Sequence, residues 1–169
     1  MTILATRAGA LHTIAVGRGI IWTPKVSTGA TDGVYIYLNP ASFKALGSDS
    51  QRAFLIGHEV LHIVLAHMWR GSLFSWCHTT YNKAADYIIN AMLVKMGFEM
   101  IEGGLLSDEF TANDITEEVY VKLLKQQDDE PEPEPEDGEG EGDDSDSDGE
   151  SGDESDDSDE AGDQAGDQA

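Results

Sequence analysis

The apolar residues of this chain lie almost entirely in its first 127 positions, where their spacing predicts several helices and a small sheet. Within residues 1–16, a loose stripe of Ile, Leu and Ala at helical spacing predicts one short helix. Gly17 and Gly19 follow this stripe and are expected to end it, because glycine weakens a helix. The body is therefore expected to open with a helix.

Two short segments after this helix predict strands. Residues 20–26 are partly apolar, but Pro24 lacks an N–H for the strand ladder and would confine this strand to a sheet edge. Residues 27–33 are rich in Ser, Thr, Gly and Asp, which is typical of a turn. Residues 34–38 are β-branched and aromatic, which favours a strand, and one or two helical turns are expected over residues 41–46.

The longest apolar run predicts a central helix. Ser48 and Gln51 have the spacing of a capping box, so the helix is expected to begin at about Asp49. It is expected to continue to about Arg70, with Gly71 closing its last turn. Because this run is apolar nearly all round, the helix should be buried in the core.

The remaining body predicts two further helices. After a loop over residues 72–80, residues 82–96 form an apolar helix that Gly97 ends. Residues 98–113 are expected to be a loop, and a second capping box at residues 114–117 opens the last helix. These elements predict the α+β class: a mainly helical domain with a small β-sheet beside the central helix.

Charge divides the chain into a body and a tail. Residues 128–169 contain 22 acidic residues and no Lys or Arg, which leaves residues 1–127 with 11 acids and 10 bases. The tail has too little apolar surface to offset its ordering entropy, so we expect a domain over 1–127 and a disordered acidic tail over 128–169. Such a tail solubilises the protein or recruits a basic partner, and direct nucleic-acid binding is not expected because like charges repel.

The cysteine content and the lack of a signal peptide or a long apolar run predict the cellular compartment. Cys77 is its one cysteine, so an internal disulfide is excluded and a reducing compartment is favoured. Residues 1–11 do not resemble a signal peptide, and no uninterrupted apolar run is long enough to span a membrane. We therefore expect a cytoplasmic protein without a membrane segment.

Three polar residues in the central helix carry the chemistry. His58, Glu59 and His62 form the sequence His-Glu-x-x-His. Residues at i and i+4 share one helix face, so the two imidazoles can bind one metal ion with the glutamate beside them. Metal binding would also give each buried imidazole a partner. The pattern predicts a zinc site in which Glu59 is the general base.

A catalytic zinc usually takes three protein ligands, and His67, His78 and Asp86 are the candidates for the third. His67 is unlike a ligand, because an unbroken helix would place it roughly opposite His58, and a capping or packing role is expected instead. His78 lies in a predicted loop that gives no positive argument. Asp86 is favoured because an unpaired carboxylate within an apolar helix would be costly.

Asp86 also lies in a polar stripe. Asn82, Asp86 and Asn90 recur at helical spacing, so the two asparagines can hydrogen-bond to Asp86 or to its neighbouring ligands. In the alternative interpretation, Asp86 pairs with a buried arginine, Arg52 or Arg70.

Two other features bear on a reaction. Tyr81 and Tyr87 are near enough in sequence to Asp86 to be considered as oxyanion stabilisers, although core packing is the commoner role of tyrosine. The predicted strand over residues 34–38 could be an exposed sheet edge beside the metal, to which a substrate peptide adds as a further strand.

Three segments resemble a known family, the HExxH zinc metallopeptidase domain that often precedes a von Willebrand A-like domain. They are Thr-Asp-Gly with the following strand and Asn-Pro at 31–40, the Gly-His-Glu-Val-Leu-His helix at 57–62, and the Asn-x-Ala-x-Asp-x-x-x-Asn helix at 82–90. The likeness covers roughly residues 27–125. It implies a zincin-like fold with Zn²⁺ on His58, His62 and Asp86. Members often occur with AAA+ ATPases, which implies such a partner, whereas here the acidic tail stands where the second domain would follow.

Two functions from different classes follow as hypotheses. The first is a zinc-dependent peptidase that cleaves a peptide or protein substrate with metal-activated water and Glu59 as general base. The alternative is a non-catalytic zinc-containing binding or regulatory module that recruits a basic protein or an AAA+ ATPase through the acidic tail. The resemblance also suggests a phage or bacterial source.

Overall fold

The computed structural model describes residues 1–73 and 77–129. Within these ranges the chain is mostly helical with one small mixed sheet, in agreement with the predicted α+β class. The predicted acidic tail lies outside the described residues except for its first two positions, and therefore stays a prediction. In chain order the elements are α1 (Thr2–Arg7), α2 (Gly9–Arg18), β1 (Ile20–Trp22), β2 (Gly29–Thr31), β3 (Ile36–Leu38), α3 (Pro40–Ala45), α4 (Asp49–Val64), α5 (His67–Ser72), α6 (His78–Lys95) and α7 (Thr116–Asp129).

The sheet differs from its prediction at one strand. β1 and β3 lie within the two segments predicted as strands, but β2 lies within residues 27–33, which were expected to be a turn. Gly29, Ala30 and Thr31 have no apolar alternation of their own. They are extended because they pair with β3 and pack against α4, contacts that no local pattern reveals.

β3 is the central strand. It pairs in parallel with β1 and antiparallel with β2, and Leu38 lies between Trp22 and Gly29. Ile36 and Leu38 are fully buried, whereas Tyr37 between them is half-buried on the other face, as the period of a strand requires. The sheet therefore rests one face on the core and leaves β2 as an edge strand next to α4.

Helix α4 begins where its capping box predicts. The Ser48 hydroxyl accepts a hydrogen bond from the Gln51 N–H at 3.1 Å, and Gln51 Oε1 accepts one from the Gly47 N–H at 2.9 Å. Its far end was predicted wrongly, because the helix stops at Val64 instead of continuing to about Arg70. Ala66 adopts a left-handed conformation at φ 54°, and α5 then begins in a new direction.

Helix α6 lies between two apolar clusters. One of its faces packs Ile89 and Leu93 into the main core with α1, α2, α4 and the sheet, while another packs Ile88 against α7. It begins at His78, four residues before its predicted start. Apolar packing thus fixes α6 on two of its faces, and its polar stripe faces α4. Among the described residues, no helix has both the length and the apolar character needed to cross a bilayer.

Candidate metal centre

Three predicted ligands converge between α4 and α6. His58 and His62 lie one turn apart on α4, and Asp86 reaches them from the middle of α6. The two imidazole Nε2 atoms are 3.1 Å apart, and Asp86 Oδ1 lies 3.3 Å from Nε2 of His58 and 3.2 Å from Nε2 of His62. Within the described part of the chain, these residues form a group that could hold a metal ion.

The separations of the three donor atoms suit a small tetrahedral ion. Zinc bonds to nitrogen and oxygen at about 2.0–2.1 Å, so two ligands at a tetrahedral angle are about 3.3–3.4 Å apart. The observed separations of 3.1–3.3 Å are within a few tenths of an ångström of that value. Two imidazoles and one carboxylate are also the ligand types that zinc takes in catalytic sites. The residues present therefore fit the ion that the sequence pattern predicts.

The asparagines of the polar stripe hold two of these side chains, as predicted. Asn90 Oδ1 lies 2.9 Å from His58 Nδ1, and Asn82 Nδ2 donates to Asp86 Oδ2 at 3.1 Å. Asn90 Nδ2 also donates to the Leu105 carbonyl at 2.8 Å, which fixes the loop on the far side of the site. Each asparagine thus fixes the orientation of a candidate ligand.

The alternative interpretation of Asp86 as an arginine partner is wrong. Arg52 pairs with Asp49 at 2.8 Å, while Arg70 makes a two-bond pair with Glu117, in which its Nε donates at 2.9 Å. Asp86 instead interacts with the two histidines and Asn82.

Burial and hydrogen bonding shift the pKa values of the three donors in different directions. Burial alone would raise the pKa of Asp86, but its hydrogen bonds with the two histidines outweigh burial and lower the pKa to about 2. Burial lowers the pKa of His62, and the Asp86 contact does not fully offset it. For His58 the contacts with Asp86 and Glu59 outweigh burial, and its pKa is raised. Asp86 therefore remains ionised at neutral pH.

Glu59 lies beside this group against the edge strand. Its side chain is buried, and a Cβ built on Gly29 would lie 2.7 Å from Glu59 Oε1. Glycine in β2 thus makes room for the carboxylate, a requirement that the sequence alone did not reveal. Burial, with a further contribution from Asp86, raises the pKa of Glu59 to about 7 against the opposing effect of His58. The carboxyl can therefore exchange a proton near neutral pH.

An open cavity of about 670 Å³ leads to these side chains. It is lined by β2, by one face of α6 from His78 to Asn90, and by residues 101–105. Phe54, Leu55 and Ile101 give it an apolar lining, and His78 stands on its rim. The size and mixed lining are those of a site for a small molecule or for a few residues of a peptide.

The strand predicted as an exposed edge does not serve that role. β3 has a neighbour on each side, so a peptide cannot add to it, and the expectation for residues 34–38 is wrong. Among the described residues, β1 and β2 are the two edge strands, and all three residues of β2 line the cavity. Tyr81 and Tyr87, considered for oxyanion stabilisation, pack instead against Tyr120 and Phe110, respectively.

His67 lies closer to the site than the sequence predicted. The left-handed turn at Ala66 brings its ring back toward α4, so His67 Nδ1 lies 3.2 Å from His62 Nδ1. The expectation that His67 points away from the site assumed an unbroken helix, and no glycine in residues 63–66 signals the break. Its other nitrogen, Nε2, lies 3.1 Å from Thr116 Oγ1. Burial lowers the pKa of His67 to about 3, so its ring is neutral.

Comparisons with known proteins give one match. No curated protein matches this chain. No solved structure matches it either. A family model described as a putative metallopeptidase domain matches residues 2–169, a wider span than the residues that carry the resemblance. The predicted family is thereby confirmed: this chain belongs to the putative metallopeptidase domain family.

Proposed function

We propose that this chain is a zinc-dependent hydrolase of peptide bonds, with His58, His62 and Asp86 as zinc ligands and Glu59 as general base. The observation that supports it best is the convergence of three donor atoms within 3.1–3.3 Å of one another beside a buried glutamate. This group opens into a cavity large enough for a few residues of a peptide. The description of the family as a metallopeptidase domain supports the same reaction class.

The donor set favours zinc over harder cations. Magnesium and calcium prefer oxygen ligands in larger numbers, whereas two imidazoles with one carboxylate suit zinc. When bound, zinc would supply a Lewis acid that polarises the substrate carbonyl and makes water a better nucleophile at neutral pH. Asn82 and Asn90 hold Asp86 and His58 in the orientation that such binding needs.

Glu59 has the position of a general base, because its buried carboxyl lies beside the candidate ligands at the cavity wall. It can take a proton from the attacking water as the new C–O bond forms. It then gives that proton to the leaving nitrogen as the C–N bond breaks, so the peptide yields a carboxylate and an amine. Its carboxyl lies against Gly29 of β2, which keeps it at the cavity wall.

The edge strand offers a place for the substrate backbone. β2 has β3 on one side and lines the cavity with the other, so an extended peptide can pair with it through main-chain hydrogen bonds. Such pairing would lay the peptide past Glu59. The apolar wall of Phe54, Leu55 and Ile101 would favour apolar side chains near the cleaved bond.

Metal content and turnover together test the proposal. Purified wild type should contain about one zinc per chain by mass spectrometry, and His58→Ala and Asp86→Ala should lose it. His12→Ala is the matched control, because His12 lies on α2 outside the cavity lining and should not affect zinc. Glu59→Gln should keep zinc but lose cleavage of a denatured protein or a fluorogenic peptide library. Zinc-free wild type, or undiminished cleavage by Glu59→Gln, would contradict the proposal.

A partner-capture experiment with the same Glu59→Gln variant separates the second candidate. The 22 acidic residues of the tail favour a module that recruits a basic protein or an AAA+ ATPase, with zinc in a structural role. That function requires partner capture that survives Glu59→Gln and fails when residues 128–169 are removed.

A further inference from the structure

His67 and Thr116 are a buried pair of hydrogen-bonded side chains next to His62, and the proposed reaction does not use them. His67 begins α5 and Thr116 begins α7, and both side chains are almost fully buried. The His67 ring stands nearly perpendicular to that of His62, at an interplanar angle of 75° with ring centroids 5.2 Å apart. Its two nitrogens contact His62 Nδ1 at 3.2 Å and Thr116 Oγ1 at 3.1 Å.

The contact between the two Nδ1 atoms determines where the hydrogens lie. His62 directs Nε2 toward His58 and Asp86, so binding a metal there requires a lone pair on Nε2 and a hydrogen on Nδ1. The Nδ1–H of His62 then donates to Nδ1 of His67, which must accept. His67 consequently carries its own hydrogen on Nε2, and this N–H donates to the Thr116 hydroxyl.

We infer that His67 and Thr116 are positioning residues for His62, which hold its ring in the tautomer and orientation that bind metal; this inference rests on the proposed metal site. It gives His62 the kind of partner that Asn90 gives His58 and Asn82 gives Asp86. Each of the three ligands is then held by a hydrogen bond to a neighbouring side chain.

A salt bridge holds His67 and Thr116 next to each other. Arg70, one turn after His67, pairs with Glu117, the neighbour of Thr116. The pair joins α5 to α7, so His67 cannot move away from Thr116 without breaking it. Arg70 also donates to the Leu65 carbonyl at 3.1 Å, next to the left-handed turn at Ala66. The start of α7 thereby supports a ligand on α4 through the side chains of α5.

If the His67 ring only filled space, its two nitrogens would not need to contact His62 and Thr116. Replacing His67 by phenylalanine keeps an aromatic ring but leaves the His62 Nδ1–H and the Thr116 hydroxyl without this partner. Asparagine at position 67 retains an acceptor near the place of Nδ1, as Asn90 does for His58. The two substitutions therefore separate hydrogen bonding from packing.

Zinc affinity measured by competition with a chromophoric chelator, with no use of peptide cleavage, tests the inference. His67→Phe should bind zinc about 10- to 100-fold more weakly than wild type, and His67→Asn should recover most of the loss. Thr116→Val, which keeps the side-chain shape, should weaken binding in the same direction. Thr80→Val is the matched control, because Thr80 is equally buried but bonds to Cys77, and it should not change zinc affinity.

The absorption spectrum of the Co²⁺-substituted protein gives a second readout, since a change in the orientation of His62 alters the ligand field whereas a loss of packing elsewhere does not. His67→Phe and Thr116→Val should shift the visible bands, and Thr80→Val should leave them in place. If wild type binds zinc and both variants bind it equally well, this inference is overturned and the metal site stands. If wild type binds no zinc, the proposed function and this inference fail together. Should His67→Phe fail to fold, Thr116→Val decides.

Discussion

The contact between Glu59 and the edge strand can be tested by adding one methyl group. In Gly29→Ala, the new Cβ would lie 2.7 Å from Glu59 Oε1 and 3.1 Å from Leu55 Cδ1. Carbon and oxygen do not approach this closely without bonding, so the carboxylate must shift by several tenths of an ångström. It is the end of a flexible side chain, so we expect a loss of unfolding free energy near the low end of the overpacking range, about 1 kcal/mol.

The effect on catalysis should be larger than the effect on stability. A misplacement of about 1 Å in a reacting group can cost about 100-fold in rate, so a shift of several tenths should cost about 10-fold or more. Urea unfolding gives the stability, and cleavage of a fluorogenic peptide gives the rate. Zinc content should not change, because Glu59 is not among the ligands. Gly17→Ala is the matched control: no atom of the described residues lies within 4 Å of its added methyl, and it should lower neither quantity.

A double-mutant cycle identifies the clashing partner. Glu59→Asp shortens the side chain by one methylene, so the stability cost of Gly29→Ala should become smaller in that background. An equal cost in both backgrounds would show that the methyl meets something other than Glu59. Wild-type stability and wild-type cleavage in Gly29→Ala would refute the placement of Glu59 against β2.

Three further predictions concern pH, packing and capping. In metal-free protein the pKa of Glu59 rises from 4.5 unfolded to about 7 folded, so its ionisation should cost stability as pH rises through that window, by about 3 kcal/mol in full. In urea unfolding with a chelator present, the unfolding free energy of Glu59→Gln relative to wild type should increase by about 2 kcal/mol between about pH 5.5 and about pH 8. A difference between the two proteins that stays constant with pH would refute this. Leu93→Ala removes a fully buried side chain that meets Gly57 of α4, and should lower the unfolding free energy by about 2–5 kcal/mol in the same assay. Ser48→Ala removes the N-cap of α4 and should cost about 1 kcal/mol, and an unchanged urea midpoint would show that this cap does not stabilise the helix.

The helices were predictable where local periodicity and capping determine them. The Ser48 cap and the apolar run located the start of α4, and the apolar spacing of residues 82–96 located most of α6. Both signals arise from neighbours within a few residues, so the sequence carries them in full. The capping box predicted at residues 114–117 did not form, because Asp114 accepts from Thr111 and Glu117 pairs with Arg70.

The failures occurred where contacts distant in sequence outweigh local preference. Ala66 adopts the left-handed conformation without being glycine, so the surrounding packing must supply about 1 kcal/mol or more to hold it there. β2 is extended because β3 and α4 hold it, although its own residues favour a turn. The capping interaction of α4 was local and was predicted, whereas these two features were not.

The sequence by itself determined the elements of the candidate site. Helical spacing places His58 and His62 on one face of α4. It likewise places Asp86 on the same face of α6 as Asn82 and Asn90, because the repeat of 3.6 residues per turn fixes which residues of a helix share a face. The family likeness came from the same segments and was confirmed by the family match.

Only the tertiary structure decided how these elements meet. Apolar packing of α6 against α4 brings Asp86 to within 3.3 Å of both imidazoles, the turn at Ala66 places His67 behind His62, and β2 supplies the edge beside Glu59. Each of these contacts joins residues whose relative positions depend on the whole core. A periodicity confined to one helix cannot encode them, because it specifies which face a side chain occupies but not what that face will meet.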